Sequence, residues 1–236
     1  MMMMSPRDRL IVALDVSRAD EARKLVERLS GAVGMFKIGS QLFTVAGPEL
    51  VREIVGRGEK VFLDLKYHDI PNTVAGAVSA ASRLGVSLMT VHALAGRAGL
   101  EAAAGSLPAM GARLLAVTIL TSQDRASLEE LGLAGAPADH VRRLALLARD
   151  AGADGVITSP QEAAVVRAAC GPGFLIVTPG VRPSGAAAGD QARTATPSEA
   201  IAAGADYIVV GRPVIAAADP AAAAAAITKE LEQVAV

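Results

Sequence analysis

Val61-Phe62-Leu63-Asp64-Leu65-Lys66-Tyr67-His68-Asp69 begins as an apolar strand and ends in charge. Residues two apart on a strand share a face, so Asp64 and Lys66 leave by one side and Leu63 and Leu65 by the other. A strand with such ends needs apolar cover on the leucine side and a polar space on the other. The rest of the chain supplies both.

Seven further β-rich runs recur at fairly even intervals, giving strands at 10–14, 35–38, 61–65, 87–91, 114–119, 155–157, 174–177 and 207–210. Most are nearly all apolar, as parallel strands covered on both faces must be. Helical periodicity fills the gaps at 18–29, 48–57, 72–84, 96–107, 137–151, 160–169, 197–203 and 220–234. In the first of these, Ala22, Leu25, Val26 and Leu29 fall on one face among charged residues. Several helices open with Pro and close at Gly. This alternation predicts an α/β fold, a closed (β/α)8 or TIM barrel, with a doubly wound open sheet as the alternative. The 236 residues suit one domain spanning 1–236, and no linker interrupts them. The alanine run at 216–226 reads as a closing helix.

Composition narrows the function. With 23 basic and 24 acidic residues the net charge is −1, which gives no reason to expect nucleic acid or an anionic membrane as partner. Cys170 is the single cysteine, so no internal disulfide can form and a reducing cytoplasm is expected. No apolar run is long enough to span a membrane. The four leading methionines run straight into charge, unlike a signal peptide.

Barrels of this kind carry their sites at the C-terminal ends of the strands. Asp15, Lys37, Asp64, Lys66 and Asp69 fall at the ends of the first three strands. Charges there are expensive unless paired, so they form either a structural salt-bridge plug or a catalytic network. Gly180 with Arg182 and Gly211 with Arg212 follow the seventh and eighth strands. There, backbone N–H groups and forked donors suit a phosphate, although each pair alone also suits a solvated surface. His92 ends the fourth strand, and Thr121 and Ser122 follow the fifth. His68 and His92 could join Asp64 or Asp69 around a metal, but their spacing is not that of a metal motif, and none is expected. His140 carries no signal, and Tyr67 is expected to fill space beside the site. The long connection at 179–196, with Gly185 and Gly189, is either a floppy insertion or a segment that closes over a ligand.

From Asp64 to Thr73 the sequence resembles the bacterial orotidine 5'-phosphate decarboxylases, and the resemblance extends over essentially the whole chain. It takes in Leu14-Asp15, Phe36-Lys37-Ile38-Gly39, Leu120-Thr121-Ser122, Thr178 to Pro183, Gly189-Asp190-Gln191 and Val210-Gly211-Arg212-Pro213. The resemblance implies a cofactor-free, cytoplasmic carboxy-lyase of pyrimidine biosynthesis acting on orotidine 5'-phosphate. It implies that Lys66 delivers a proton to C6 and that Asp64 sits by the substrate carboxylate. Asp69 and Thr73 are implied to reach a partner's site across a homodimer interface. Asp15 and Lys37 would hold ribose hydroxyls, Thr121 and Ser122 the pyrimidine edge, and Gln191, Arg182, Gly211 and Arg212 the phosphate end. A metal-dependent sugar-phosphate decarboxylase and an inactive phosphate-binding protein are the rival readings.

Overall fold

The computed structural model describes residues 4–109, 111–183 and 195–234. Among these, eight strands pair in sequence order, all parallel: β1 (Leu10–Ala13), β2 (Met35–Gly39), β3 (Val61–Tyr67), β4 (Leu88–His92), β5 (Arg113–Val117), β6 (Gly155–Ile157), β7 (Leu175–Thr178) and β8 (Tyr207–Val210). β8 pairs back onto β1 through Leu10 and Ile208, Ile11 and Val209, and Val12 and Val210. That closure decides for the barrel over the open sheet.

The helices around it are α1 (Ala19–Leu29), α2 (Ser40–Gly56), α3 (Pro71–Ser82), α4 (Gly96–Gly105), α5 (Arg125–Glu130), α6 (Pro137–Asp150), α7 (Ala163–Cys170), α8 (Pro197–Ala202), α9 (Arg212–Ile215) and α10 (Pro220–Glu232). The face of α1 read from the sequence is the one it buries. α2 starts at Ser40, earlier than periodicity indicates, because Gly47 takes φ 66° and joins two helical pieces ahead of Pro48. The short α5 and α9 are not legible as periodic segments. Asp124 starts α5 by accepting the Ser127 N–H at 2.9 Å.

Strand alternation divides the apolar residues into two cores. Leu10, Val12, Phe36, Ile38, Val61, Leu63, Met89, Val91, Ile208 and Val210 face the helices. Ile11, Ala13, Met35, Phe62, Leu88, Leu115, Val117, Ile157, Val177 and Val209 fill the barrel. On β3 the inward series then runs from apolar Phe62 to Asp64 and Lys66, and on β4 from Leu88 to Thr90 and His92. The interior is thus oily at its floor and polar at its mouth. At the floor end Arg167 donates to the carbonyls of Gly171, Phe174 and Gly204 and to Asp206 at 2.7 Å, tying the approaches to β7 and β8 together. No helix among the described residues is long and apolar enough to cross a membrane.

Gly155 shows how tightly the barrel closes. A Cβ there would collide with the Leu175 backbone carbonyl and come within 2.9 Å of Leu115 Cδ2. Gly155→Ala is expected to destabilise the fold by about 1–3 kcal/mol, as overpacking does. Gly56→Ala, at the open end of α2 with nothing within 4 Å, should instead stabilise by about 0.5–1 kcal/mol. Urea denaturation of the two variants checks both signs.

Candidate active site

β1, β2 and β3 bring four charges into one chain. Lys37, on the inward face of β2, lies 3.2 Å from Asp15 Oδ1 and 3.6 Å from Asp64 Oδ2. Lys66 Nζ lies 2.8 Å from the same Asp64 Oδ2. Signs alternate along Asp15, Lys37, Asp64 and Lys66, so each buried charge meets an opposite one. Asp64 is the anchor: its side chain is 11% exposed, against 37% for Lys66. It is a carboxylate shared by two ammonium groups. Such a pairing is strongly destabilised when one member is removed, by about 3–5 kcal/mol, because the remaining charge stays buried.

The path of β3 explains how Lys66 reaches this position. Leu63 pairs with Met89 and Tyr67 with Val91, so Asp64, Leu65 and Lys66 together face the single residue Thr90. Lys66 takes φ 52°, and among the described residues it is the only non-glycine in left-handed backbone. That conformation costs on the order of 1–2 kcal/mol for a residue with a Cβ. The surroundings must over-determine it. Lys66 N–H donates to Thr90 Oγ1 at 2.8 Å, and that hydroxyl donates to Asp64 Oδ1 at 3.1 Å.

The other rim carries the residues suited to a phosphorylated ligand. A cavity of about 720 Å³ is lined by Asp15, Lys37, Asp64 and Lys66 together with Thr121, Ser122, Gly180, Arg182, Gly211 and Arg212. That size lies within the usual range for small-molecule sites. Gly180 takes φ 79° after β7, a turn that disfavours a side chain. A Cβ on Gly211 would lie 3.3 Å from Asp15 Oδ2, so β8 meets the charge chain without bulk between them. Burial, and then the like charge of Arg212, pull the Arg182 guanidinium below its usual range. Both guanidinium groups line the same cavity, where forked donors suit an anion. The cavity floor is apolar, with Ala13, Phe62, Val117, Ile157 and Val209.

Ten of the expected site residues therefore meet in one cavity. Asp69 and Thr73 do not line it; both are exposed, and Asp69 Oδ1 accepts the Ile70 N–H at 2.7 Å. Gln191, with Gly185 and Gly189, lies outside the described residues. Tyr67 does not sit beside the site as expected: it packs against the helix-side core, and burial raises its phenol pKa. His140 is buried rather than uninformative, its Nε2 3.1 Å from the Ala134 carbonyl and its Nδ1 2.8 Å from an Arg143 nitrogen. Among the described residues no three His, Cys, Asp or Glu side chains gather as a metal-binding group. Thr90, Gln41 and Thr158 were missed by sequence reasoning. The one available signal for Thr90 was a hydroxyl in the middle of an apolar strand, two residues before His92.

Comparison with known proteins agrees with the fold and shows the family. The model of the orotidine 5'-phosphate decarboxylase / HUMPS family matches residues 8–227. A Halorhodospira halophila protein named orotidine 5'-phosphate decarboxylase is 58% identical over 94% of this chain and 95% of its own. One of the same name from Moorella thermoacetica is 53% identical over 99% and 96%. The crystal structure of orotidine 5'-phosphate decarboxylase from Lactobacillus acidophilus superposes with a TM-score of 0.84 at 40% identity, covering 94% of this chain and 98% of that one.

His92 ends β4, two residues beyond Thr90. Its ring stacks on His68 with centroids 5.2 Å apart, and Nδ1 accepts the Leu94 N–H at 3.2 Å, which leaves the proton of the neutral ring on Nε2. Burial first, then electrostatic opposition from His68 and Lys66, lower its pKa from 6.5 to about 4. The unfolded chain therefore takes up this proton before the folded one does. The contribution of His92 to stability should fall as pH drops from 6.5 to about 4 and level off below that. An NMR titration of the ring should show a midpoint near 4; a midpoint close to 6.5 would contradict the stacked, neutral arrangement.

Proposed function

The chain belongs to the orotidine 5'-phosphate decarboxylase / HUMPS family, and we propose that it converts orotidine 5'-phosphate to uridine 5'-phosphate and carbon dioxide. This is the last step of de novo pyrimidine nucleotide synthesis. The observation that carries the reading is Lys66 Nζ held 2.8 Å from Asp64 in a cavity that Arg182 and Arg212 also line.

The chemistry requires such an ammonium. When the C6–carboxylate bond breaks, its electron pair stays on C6 as a vinyl-type carbanion that the ring cannot readily delocalise. Lys66 Nζ stabilises the pair and then gives up a proton to C6, and solvent later reprotonates the amine. Asp64 lies beside the departing carboxylate and fixes Lys66 at the same time. Asp15 and Lys37 hold the ribose hydroxyls, Thr121 and Ser122 read the polar edge of the pyrimidine, and Arg182, Arg212 and the Gly211 backbone take the phosphate. No cofactor enters this scheme.

Magnitudes decide which effect dominates. Repulsion between Asp64 and the substrate carboxylate is worth about 4 kcal/mol at ~4 Å and an effective dielectric of 20. Enzymes generally lower barriers by roughly 8–23 kcal/mol. Ground-state repulsion is therefore a minor contribution, and preorganised stabilisation of the carbanion carries most of the effect.

The enzyme acts as a cytoplasmic homodimer of one-domain subunits. Asp69 and Thr73 are exposed, and so are Ile70, at 67%, and Leu94, at 46%, in the loops after the neighbouring strands β3 and β4. A second copy covering these loops would bury the apolar pair and carry Asp69 and Thr73 to its own site. Against a metal-dependent relative stands Lys37: its ammonium lies within 3.6 Å of both Asp15 and Asp64, where a divalent cation would be repelled.

Purified protein in EDTA should consume orotidine 5'-phosphate in an ultraviolet assay, and Lys66→Ala should lower kcat by at least about 10²–10⁴-fold. Abolition of the wild-type rate by EDTA would revive the metal-dependent reading. Mixing inactive Asp69→Ala and Lys66→Ala subunits should restore part of the activity through heterodimers with one intact shared site. No recovery despite demonstrated subunit exchange would remove Asp69 from the partner's site.

A further inference from the structure

We propose that Thr90 is the positioning residue that sets the proton donor, with its single hydroxyl fixing both the backbone of Lys66 and the carboxylate of Asp64. This role presupposes Lys66 as the donor. Thr90 is 0% exposed and stands on the inward face of β4, where the three residues Asp64, Leu65 and Lys66 bulge opposite it. The direction of its two hydrogen bonds is forced. A backbone N–H can only donate, so Thr90 Oγ1 accepts from Lys66 at 2.8 Å. The one hydroxyl proton then goes to Asp64 Oδ1 at 3.1 Å.

The two carboxylate oxygens of Asp64 are thereby given separate tasks. Oδ1 is held by Thr90, while Oδ2 faces Lys66 Nζ at 2.8 Å and Lys37 Nζ at 3.6 Å. The ammonium that reacts is thus tied at both ends to one hydroxyl: through its own backbone N–H, and through the carboxylate its Nζ touches. A β-branched residue suits the task because its χ1 is stiff. A valine would fill the same space but leave the Lys66 N–H without its acceptor and Asp64 held through Oδ2 alone. Lys66 would then hold a disfavoured φ of 52° with one restraint fewer. The residues assigned to the substrate, Arg182, Arg212, Thr121 and Ser122, follow β7, β8 and β5, whereas the Thr90 hydroxyl bonds to Lys66 and Asp64.

The expected signature is a loss in kcat with little change in KM. Losing the acceptor of a buried donor is worth about 1–3 kcal/mol, or roughly a tenfold to hundredfold fall. Thr90→Val should show this fall, keep its affinity for the product uridine 5'-phosphate within about threefold, and remain folded by circular dichroism. Thr90→Ser, which restores the hydroxyl without the methyl, should recover most of kcat. Should Thr90→Val fail to fold, Thr90→Ala must show the same selective loss. Wild type and Lys66→Ala are assayed alongside. If they differ as expected yet Thr90→Val keeps wild-type kcat, or serine and valine lose it equally, the positioning role is overturned and the decarboxylase reading stands. If wild type turns over no substrate, that reading fails and this role fails with it.

Discussion

The site depends on one carboxylate that is buried and fully engaged. Asp64 receives a hydroxyl on one oxygen and ammonium groups on the other. Its burial is tolerable only because those partners arrive from three adjacent strands. Lys66 comes from Asp64's own strand, β3, Lys37 from β2 and Thr90 from β4. The closed barrel sets the spacing between these strands, and the apolar layer beneath them keeps water from competing for the same groups. Fold and chemistry meet in that requirement. A sheet that splayed by an ångström would pull Lys37 and Thr90 away and leave Asp64 with Lys66 alone.

Much of this was legible in the sequence because it follows from local pattern. Apolar runs at even spacing gave the eight strands, and period-two alternation put Asp64 and Lys66 on the inward face. The parallel, buried sheet then implied that charged strand ends gather at one mouth. The helix face of α1 was readable for the same reason. What escaped was non-local. The bulge in β3 arises from the register between two strands, and nothing within 61–69 announces that three residues there will oppose one. The left-handed backbone of Lys66 follows from that register, and so does the importance of Thr90, which in isolation is one polar residue in an apolar strand. His140 was hidden similarly, since its ring is engaged by the Ala134 carbonyl in the loop before α6 and by Arg143 along the helix. The bend in α2 was misread for a different reason: Gly47 and Pro48 look like a boundary, yet the chain resumes helical form directly across them.

The division of labour along the barrel axis fits the physics of each end. The floor is joined by Arg167 through neutral carbonyls and one carboxylate, a set of restraints with no evident role beyond holding β7 and β8. The mouth carries the disfavoured backbone, the depressed histidine and the opposed guanidinium groups. Strain and charge conflict collect where a ligand is to be bound, and redundancy collects where none is.

The alternating charges also have a consequence at long range. Asp15, Lys37, Asp64 and Lys66 sum to zero, so beyond about 8–10 Å of salt water they look like a compact multipole with almost no field. Arg182 and Arg212, which line the same mouth after β7 and β8, are both positive. An anion diffusing in therefore senses that side of the rim long before it senses the four-charge chain. In the proposed reaction this field would act like a compass needle, turning the phosphate of an incoming substrate toward the ends of β7 and β8 before any contact with Lys66 is made.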